Sequence, residues 1–358
     1  MNRMRVGCVG WLYGIDNEYG HTTAVCDIDR AHVEGFTSKR PSVKGYTDYR
    51  AMLDTGEIDV VLIATPNEFH QEMAEYALKA GVHVFLEKPM GVNREELDSI
   101  LRTQQASGRQ LAIDFELRVS FFGRRVKEII DSGEIGKPVG VEFVHHRGAW
   151  LARGNNVWRT DPNRSGGLYF MEVCHEIDVF RHWFGEIAAA QSFSFPNVLP
   201  QYRDGMPDNV CTHLWFREGV RGVILTSHTS SVWQAEKTAY RENGHDMVFI
   251  VTGTEGAIRI DCIDHTLLVC RYADFHPDAH RGLRVERDRL EDHRSMSATE
   301  FHHDTRGNLD RFIRSMALDE PPHQDATDAW RTHVICLAAE ESARDASQRI
   351  EIDYTLPS

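Results

Sequence analysis

The chain has 358 residues, 54 of them acidic and 40 basic, for a formal charge of −14. That balance excludes nucleic acid and anionic membrane as main partners, since both select basic patches. An apolar share of 41% with ordinary glycine and proline describes a soluble globular protein, and the length suits two domains better than one core. Seven cysteines lie scattered without CxxC spacing, which predicts reduced thiols and a cytoplasmic location. Neither an N-terminal apolar segment nor a run of about 18 apolar residues occurs, so neither export nor a membrane span is expected.

The first third alternates short apolar strands with amphipathic helices. Strands are predicted over 5–9, 22–28, 59–64, 82–86 and 110–113, and helices over 68–80 and 94–107. Gly81 stands where a helix C-cap belongs, and Asn93 is a good N-cap followed by acids. Strands joined by helices imply right-handed crossovers and a doubly wound α/β domain with a parallel sheet, assigned to residues 1–119.

From residue 120 the pattern becomes α+β. A helix over 121–132, a strand over 139–146 and a helix over 172–184 precede six strand candidates between 189 and 272. They predict a large, mostly antiparallel open sheet with helices on one face, in a domain of residues 120–358. Helices over 300–318 and 326–347 are expected to pack back on the first domain, with 275–297 read as a charged loop.

Two polar, proline-bearing loops follow adjacent strands: Ala64-Thr65-Pro66-Asn67-Glu68-Phe69-His70 and Glu87-Lys88-Pro89. In open α/β sheets ligands bind beyond the carboxyl ends of the strands, so both loops point to one site. Further along stand a double glycine, Gly166-Gly167, and the helix opening Cys174-His175-Glu176.

With its segments AVCDID, DVVLIATPNEFH, AGVHVFLEKPMG, WRTDPNRSGG, CHEIDVFRHWFGE and VTGTEGAIRID, the chain resembles the Gfo/Idh/MocA family over nearly its whole length. The resemblance implies an NAD(P)-binding Rossmann domain and oxidoreduction of a sugar, polyol or cyclitol. It also implies catalytic roles for Lys88 and His175. Moving a hydride from a carbinol requires taking up the hydroxyl proton, and histidine titrates near pH ~6.5, which suits a general base. Lys88 would supply charge beside the developing alkoxide. Thr65, Pro66, Asn67 and His70 would line the nicotinamide half of the cofactor site, and Glu87 would contact the ribose or orient Lys88. Trp158 and Arg159 would reach the substrate pocket.

Two departures stand out. The acid usual one turn before the histidine is Met171 here, so Glu172 or Asp178, on the same helix face as His175, are the expected replacements. The G-x-G-x-x-G loop is also broken: after Gly10 the other glycine positions hold Leu12 and Ile15. Only 11 residues separate Gly10 from Thr22, too few for the usual helix that receives the pyrophosphate. The loop is either rebuilt and still binds NAD, or dinucleotide binding is weakened or lost. Asp27, ending the second strand, favours NAD over NADP, although Asp29-Arg30 follows closely.

The pairs His145-His146 and His302-His303 are read as strand residues facing opposite ways, and no metal is expected. Three classes follow. They are an NAD-dependent dehydrogenase or reductase, a hydrolase or lyase that keeps NAD for a transient keto-sugar or works without it, and a non-catalytic binding or regulatory protein. A homodimer or homotetramer through the open sheet is expected from the resemblance.

Overall fold

Six strands, β1 (Met4–Val9), β2 (Gly20–Cys26), β3 (Lys44–Tyr46), β4 (Val60–Ile63), β5 (His83–Leu86) and β6 (Leu111–Ile113), form a wholly parallel sheet. Its order is β3-β2-β1-β4-β5-β6, the doubly wound order of a Rossmann sheet. The computed structural model describes residues 3–148, 154–200, 202, 206–229, 246–273, 285–345 and 347–357. The β4 sequence VVLI is buried at every position, as a central parallel strand covered on both faces must be.

Connections β2 to β6 carry α1 (Arg30–Thr37), α2 (Tyr49–Leu53), α3 (His70–Lys79) and α4 (Arg94–Ser107). The fourth matches its predicted bounds because its ends are coded locally. Asn93 accepts a hydrogen bond from the Glu96 amide at 2.9 Å, and Gly108 closes the helix at φ +66°. The β1–β2 connection has no helix at all, as its length dictates.

The second sheet has nine strands in the order β14-β13-β12-β11-β7-β10-β9-β8-β15. These are β7 (Pro138–His146), β8 (Ile187–Ser194), β9 (Asn209–Phe216), β10 (Arg221–Ser227), β11 (Asp246–Gly253), β12 (Gly256–Asp261), β13 (Thr266–Tyr272), β14 (Val285–Asp292) and β15 (Ile350–Glu351). Only the β7–β10 pair is parallel. Burial alternates along β7 and β11, so one face packs inward while Glu142 on the other stays exposed.

The inner face is covered by α5 (Phe121–Asp131), a π-helical turn (Tyr169–Val173) and α7 (Cys174–Phe184), while the short α6 (Pro162–Ser165) packs beside the loop after β4. Beyond β14 come α8 (Ala298–Phe301), α9 (Thr305–Leu318) and α10 (Ala326–Arg344). Leu309, Phe312 and Ile313 of α9 pack on Val6, Cys8, Val60 and Phe85, closing the face of the parallel sheet that α1 also covers. No described helix is long and apolar enough to cross a membrane.

Two expectations are corrected. The segment 275–297, read as a loop, contains β14, while residues 274–284 lie outside those described. Its charges suit an edge strand. Arg289 reaches Glu134 at 2.6 Å and Glu291 reaches Arg125 at 2.7 Å, pinning the edge to α5 and the turn after it. The helix over 300–318 is broken between α8 and α9, where Asp304 caps the second half through the Gly307 amide. His302 and His303 therefore sit at a helix break, not on a strand.

Candidate functional site

The strand order reverses between β1 and β4, and there the chain opens a crevice. Gly10 sits at its floor with φ +82°, and a Cβ on it would lie 2.2 Å from the Ala64 carbonyl oxygen. Only glycine permits this approach. Above it lies an open cavity of about 670 Å³ bounded by Gly10, Trp11, Asp27 and Ala64 together with α1. Asp27 follows β2 directly and accepts the Asp29 amide at 2.8 Å.

The loop from Gly10 to Tyr19 is ordered by its own chemistry. The Thr22 hydroxyl accepts the Ile15 amide at 2.8 Å and donates to the Tyr13 carbonyl at 3.0 Å. Asn17 accepts the amides of Tyr19 and Gly20 and donates to Asp310 of α9. Ile15 is buried against the α9 core.

The loops after β4 and β5 meet through His70, whose fully buried ring faces the Pro89 carbonyl at 2.6 Å and the Thr65 carbonyl at 3.0 Å. Burial pushes its pKa down against the pull of the two carbonyls, and the ring ties the two loops together. Asn67 is also buried; its amide donates to the Ser165 carbonyl at 2.7 Å, and Glu68 pairs with Arg164. Thr65 and Pro66 stay partly accessible. Of the predicted nicotinamide contacts, two keep accessible surface and two are spent on joining elements.

Beyond β5 and β6 lies a second cavity, of about 290 Å³, between the domains. Lys88, from the end of β5, and His175, from α7, both line it. The Lys88 ammonium donates to the Met171 carbonyl at 2.5 Å. That carbonyl is available because the turn before α7 is π-helical, with the Cys174 amide reaching back to Tyr169. Widened turns of this kind concentrate at functional sites.

The partner of His175 is neither Glu172 nor Asp178, which corrects the sequence expectation. Its Nδ1 lies 3.2 Å from Glu116 Oε2, and Glu116 Oε1 lies 2.9 Å from His303 Nδ1. Burial opposes charge on Glu116, yet the two imidazoles outweigh it and hold its pKa well below the usual carboxylate range. Glu172 does line the cavity, but it is engaged by Arg147, with His145 Nδ1 at 3.7 Å. Burial likewise opposes its charge, and Arg147 overcomes it.

Asp178 is withdrawn from the cavity altogether. Fully buried, it accepts from Arg118 Nε at 2.6 Å, Gln324 at 2.9 Å and Thr332 at 3.1 Å. Three residues past His175 on α7, it turns toward α10 instead. Trp158 is buried under the Arg159 guanidinium, 4.7 Å from its ring centre, and neither belongs to the described cavity wall. Burial lowers the Arg159 pKa.

Four charged wall residues escape the sequence reading, Asp114, Glu116, Arg147 and Glu176, while His145 and His303 enter it only as candidate metal ligands. The first two follow β6 as Glu87 and Lys88 follow β5, so the strand-end logic extends to them. Glu87 is pushed up to about 7 by burial and by Glu116, against the pull of Lys88. Asp114 is raised by burial and by Glu87. Glu176 is raised by burial and by Glu172, and its Oε2 has no hydrogen-bond partner among the described residues. The cavity thus gathers carboxyl groups whose pKa values are shifted in opposite directions around one lysine and three histidines, His145, His175 and His303.

The model of the oxidoreductase family with an NAD-binding Rossmann fold matches residues 11–115, and that of the GFO/IDH/MocA C-terminal domain matches residues 124–259. The chain belongs to the Gfo/Idh/MocA oxidoreductase family. It is 31% identical over 160 residues to a 1-carboxy-3-chloro-3,4-dihydroxycyclohexa-1,5-diene dehydrogenase of Comamonas testosteroni. That match spans 44% of this chain and only 40% of the relative. It is 26% identical over 326 residues to the myo-inositol 2-dehydrogenase of Thermotoga maritima, covering 90% of this chain and 88% of that one. A levoglucosan dehydrogenase solved with NADH shares the fold at TM-score 0.77 and 19% identity, over 98% of this chain and all of that one.

In this member of the Gfo/Idh/MocA family, Lys88 and His175 line one cavity. Its acid partner for that histidine comes from the end of β6.

Proposed function

We propose that the chain transfers a hydride between nicotinamide and a hydroxyl or keto carbon of a sugar, polyol or cyclitol. The observation that carries this reading is the meeting of Lys88 and the Glu116-backed His175 in one small interdomain cavity. The crevice over Gly10 has the close backbone approach and the room a dinucleotide needs. When bound there, the cofactor would supply the hydride acceptor. Asp27 would accept from the adenosine ribose and favour NAD over NADP by charge.

The proton side belongs to the protein. His175 takes the hydroxyl proton, with Glu116 balancing the imidazolium charge that results. Lys88, tethered to the Met171 carbonyl, places an ammonium beside the oxygen as it gains charge. Arg147 and Glu172 form a fixed polar wall for further hydroxyls. Chemical steps at a polyol need no other base.

A redox-neutral elimination through a transient keto-sugar is the second reading, favoured by Glu176, a buried carboxyl in the same wall whose pKa burial raises. Incubation with NAD and a panel of polyols, cyclitols and sugar glycosides separates the two. Net NADH formation supports the dehydrogenase, and product release without net NADH supports elimination. Neither product from any compound, with Lys88→Ala indistinguishable from wild type, overturns both in favour of a non-catalytic protein.

We place the domain boundary at 119/120, the point at which the chain leaves β6 for α5. Self-association through the uncovered face of the nine-stranded sheet, as a dimer or tetramer, and a cytoplasmic setting accord with that open face and with seven free cysteines.

A further inference from the structure

The missing helix leaves the dinucleotide without its usual anion site. In a doubly wound domain the first crossover helix points its N-terminal amides at the pyrophosphate. Here residues 10–19 contain no helix, so neither those amides nor a helix dipole exists.

Two other features occupy the same cavity. Lys39 and Arg40, just past the end of α1, line it together with Gly10 and Trp11. Neither forms an ion pair among the described residues, and Arg40 instead stacks on Phe36 at 4.4 Å. A Cβ on Gly14 would lie 2.7 Å from Arg40 Nε, so the guanidinium rests directly against the shortened loop. The backbone amides of Trp11, Leu12, Tyr13 and Gly14 have no acceptor among the described residues. Amides without a protein acceptor are available to an anion, and a guanidinium fork matches phosphate oxygens.

We propose that Arg40 and Lys39, together with the 11–14 backbone, hold the diphosphate of the dinucleotide in place of the lost helix N-terminus. This rests on the reading that the chain binds a dinucleotide, and Asp27 on the same wall argues against a 2′-phosphate as the anion. Side-chain cations here do what backbone geometry does in the ordinary loop.

The test is fluorescence titration of the full chain with NADH and NADPH, and calorimetric titration with ADP and adenosine, at low and high salt. The double variant Lys39→Ala/Arg40→Ala should weaken NADH and ADP by about ten- to a hundredfold, the size of one or two charge-assisted bonds. Adenosine affinity should stay unchanged, and the salt dependence of NADH binding should flatten. Both side chains are exposed, so the unfolding midpoint should not move. Gly14→Ala, which displaces the guanidinium but keeps its charge, should weaken NADH as well.

Unchanged NADH affinity in the double variant overturns the proposal while leaving dinucleotide binding intact. A loss confined to NADPH assigns the cations to a 2′-phosphate and overturns it too. Wild-type protein that binds neither dinucleotide overturns the underlying reading itself.

Discussion

Glu116 Oε2 lies 3.2 Å from His175 Nδ1, a contact between the end of a strand in one sheet and a helix that covers the other. Glu116→Gln keeps the shape and removes the charge that balances an imidazolium. The expected result is a fall in kcat of at least about tenfold, against about 10²–10⁴-fold for His175→Ala. KM and NADH affinity should hardly change. A merely structural role would instead lower NADH affinity and the unfolding midpoint together.

Lys88→Ala should lower kcat by about 10²–10⁴-fold, with NADH binding retained because the crevice over Gly10 lies at a different strand end. Lys88→Arg should not restore the rate. A planar guanidinium cannot occupy the point position of an ammonium held by the Met171 carbonyl. Steady-state kinetics beside a fluorescence titration of NADH checks both statements.

Asp178→Ala leaves Arg118 buried with one carboxylate fewer. Breaking a buried pair by removing one partner costs about 3–5 kcal/mol, so denaturant midpoints should fall sharply. Substrate KM of the folded fraction should be that of the wild type. A raised KM with unchanged stability would return Asp178 to the substrate site.

Stability should fall with acid through His333. Its Nδ1 faces the Ala329 carbonyl at 2.7 Å, and its Nε2 accepts the Met90 amide at 3.0 Å, an arrangement that requires the neutral ring. Burial pushes its pKa down to about 4. The unfolded chain takes up this proton near pH ~6.5, so the contribution is whole above that value and is lost as pH falls toward 4. The loss amounts to up to about 3 kcal/mol. In His333→Phe the unfolding free energy should be lower at neutral pH and should decline less steeply between pH 6.5 and 4. An identical slope in both proteins would refute the assignment.

Features coded by neighbours in the chain were legible. The caps of α4, the Gly81 turn, the proline-bearing loops and the absent first helix all follow from residue order and count, because caps, turns and connection lengths are local. The edge strand β14 was not, since its alternating charges read as a loop until Arg125 and Glu134 are placed beside it.

By itself, the sequence determined the parallel sheet, the position of Lys88 and His175, and the lack of a helix to receive a pyrophosphate. The tertiary structure alone decided which acid serves His175. Glu172 and Asp178 lie on the expected helix face, but Arg147 and Arg118 claim them, and the carboxylate beside His175 comes from the end of β6, where it also meets His303. Helical spacing says which side chains share a face. Which buried charges pair depends on where oppositely charged groups from distant segments come to rest, because a buried charge left without a partner is too costly to keep.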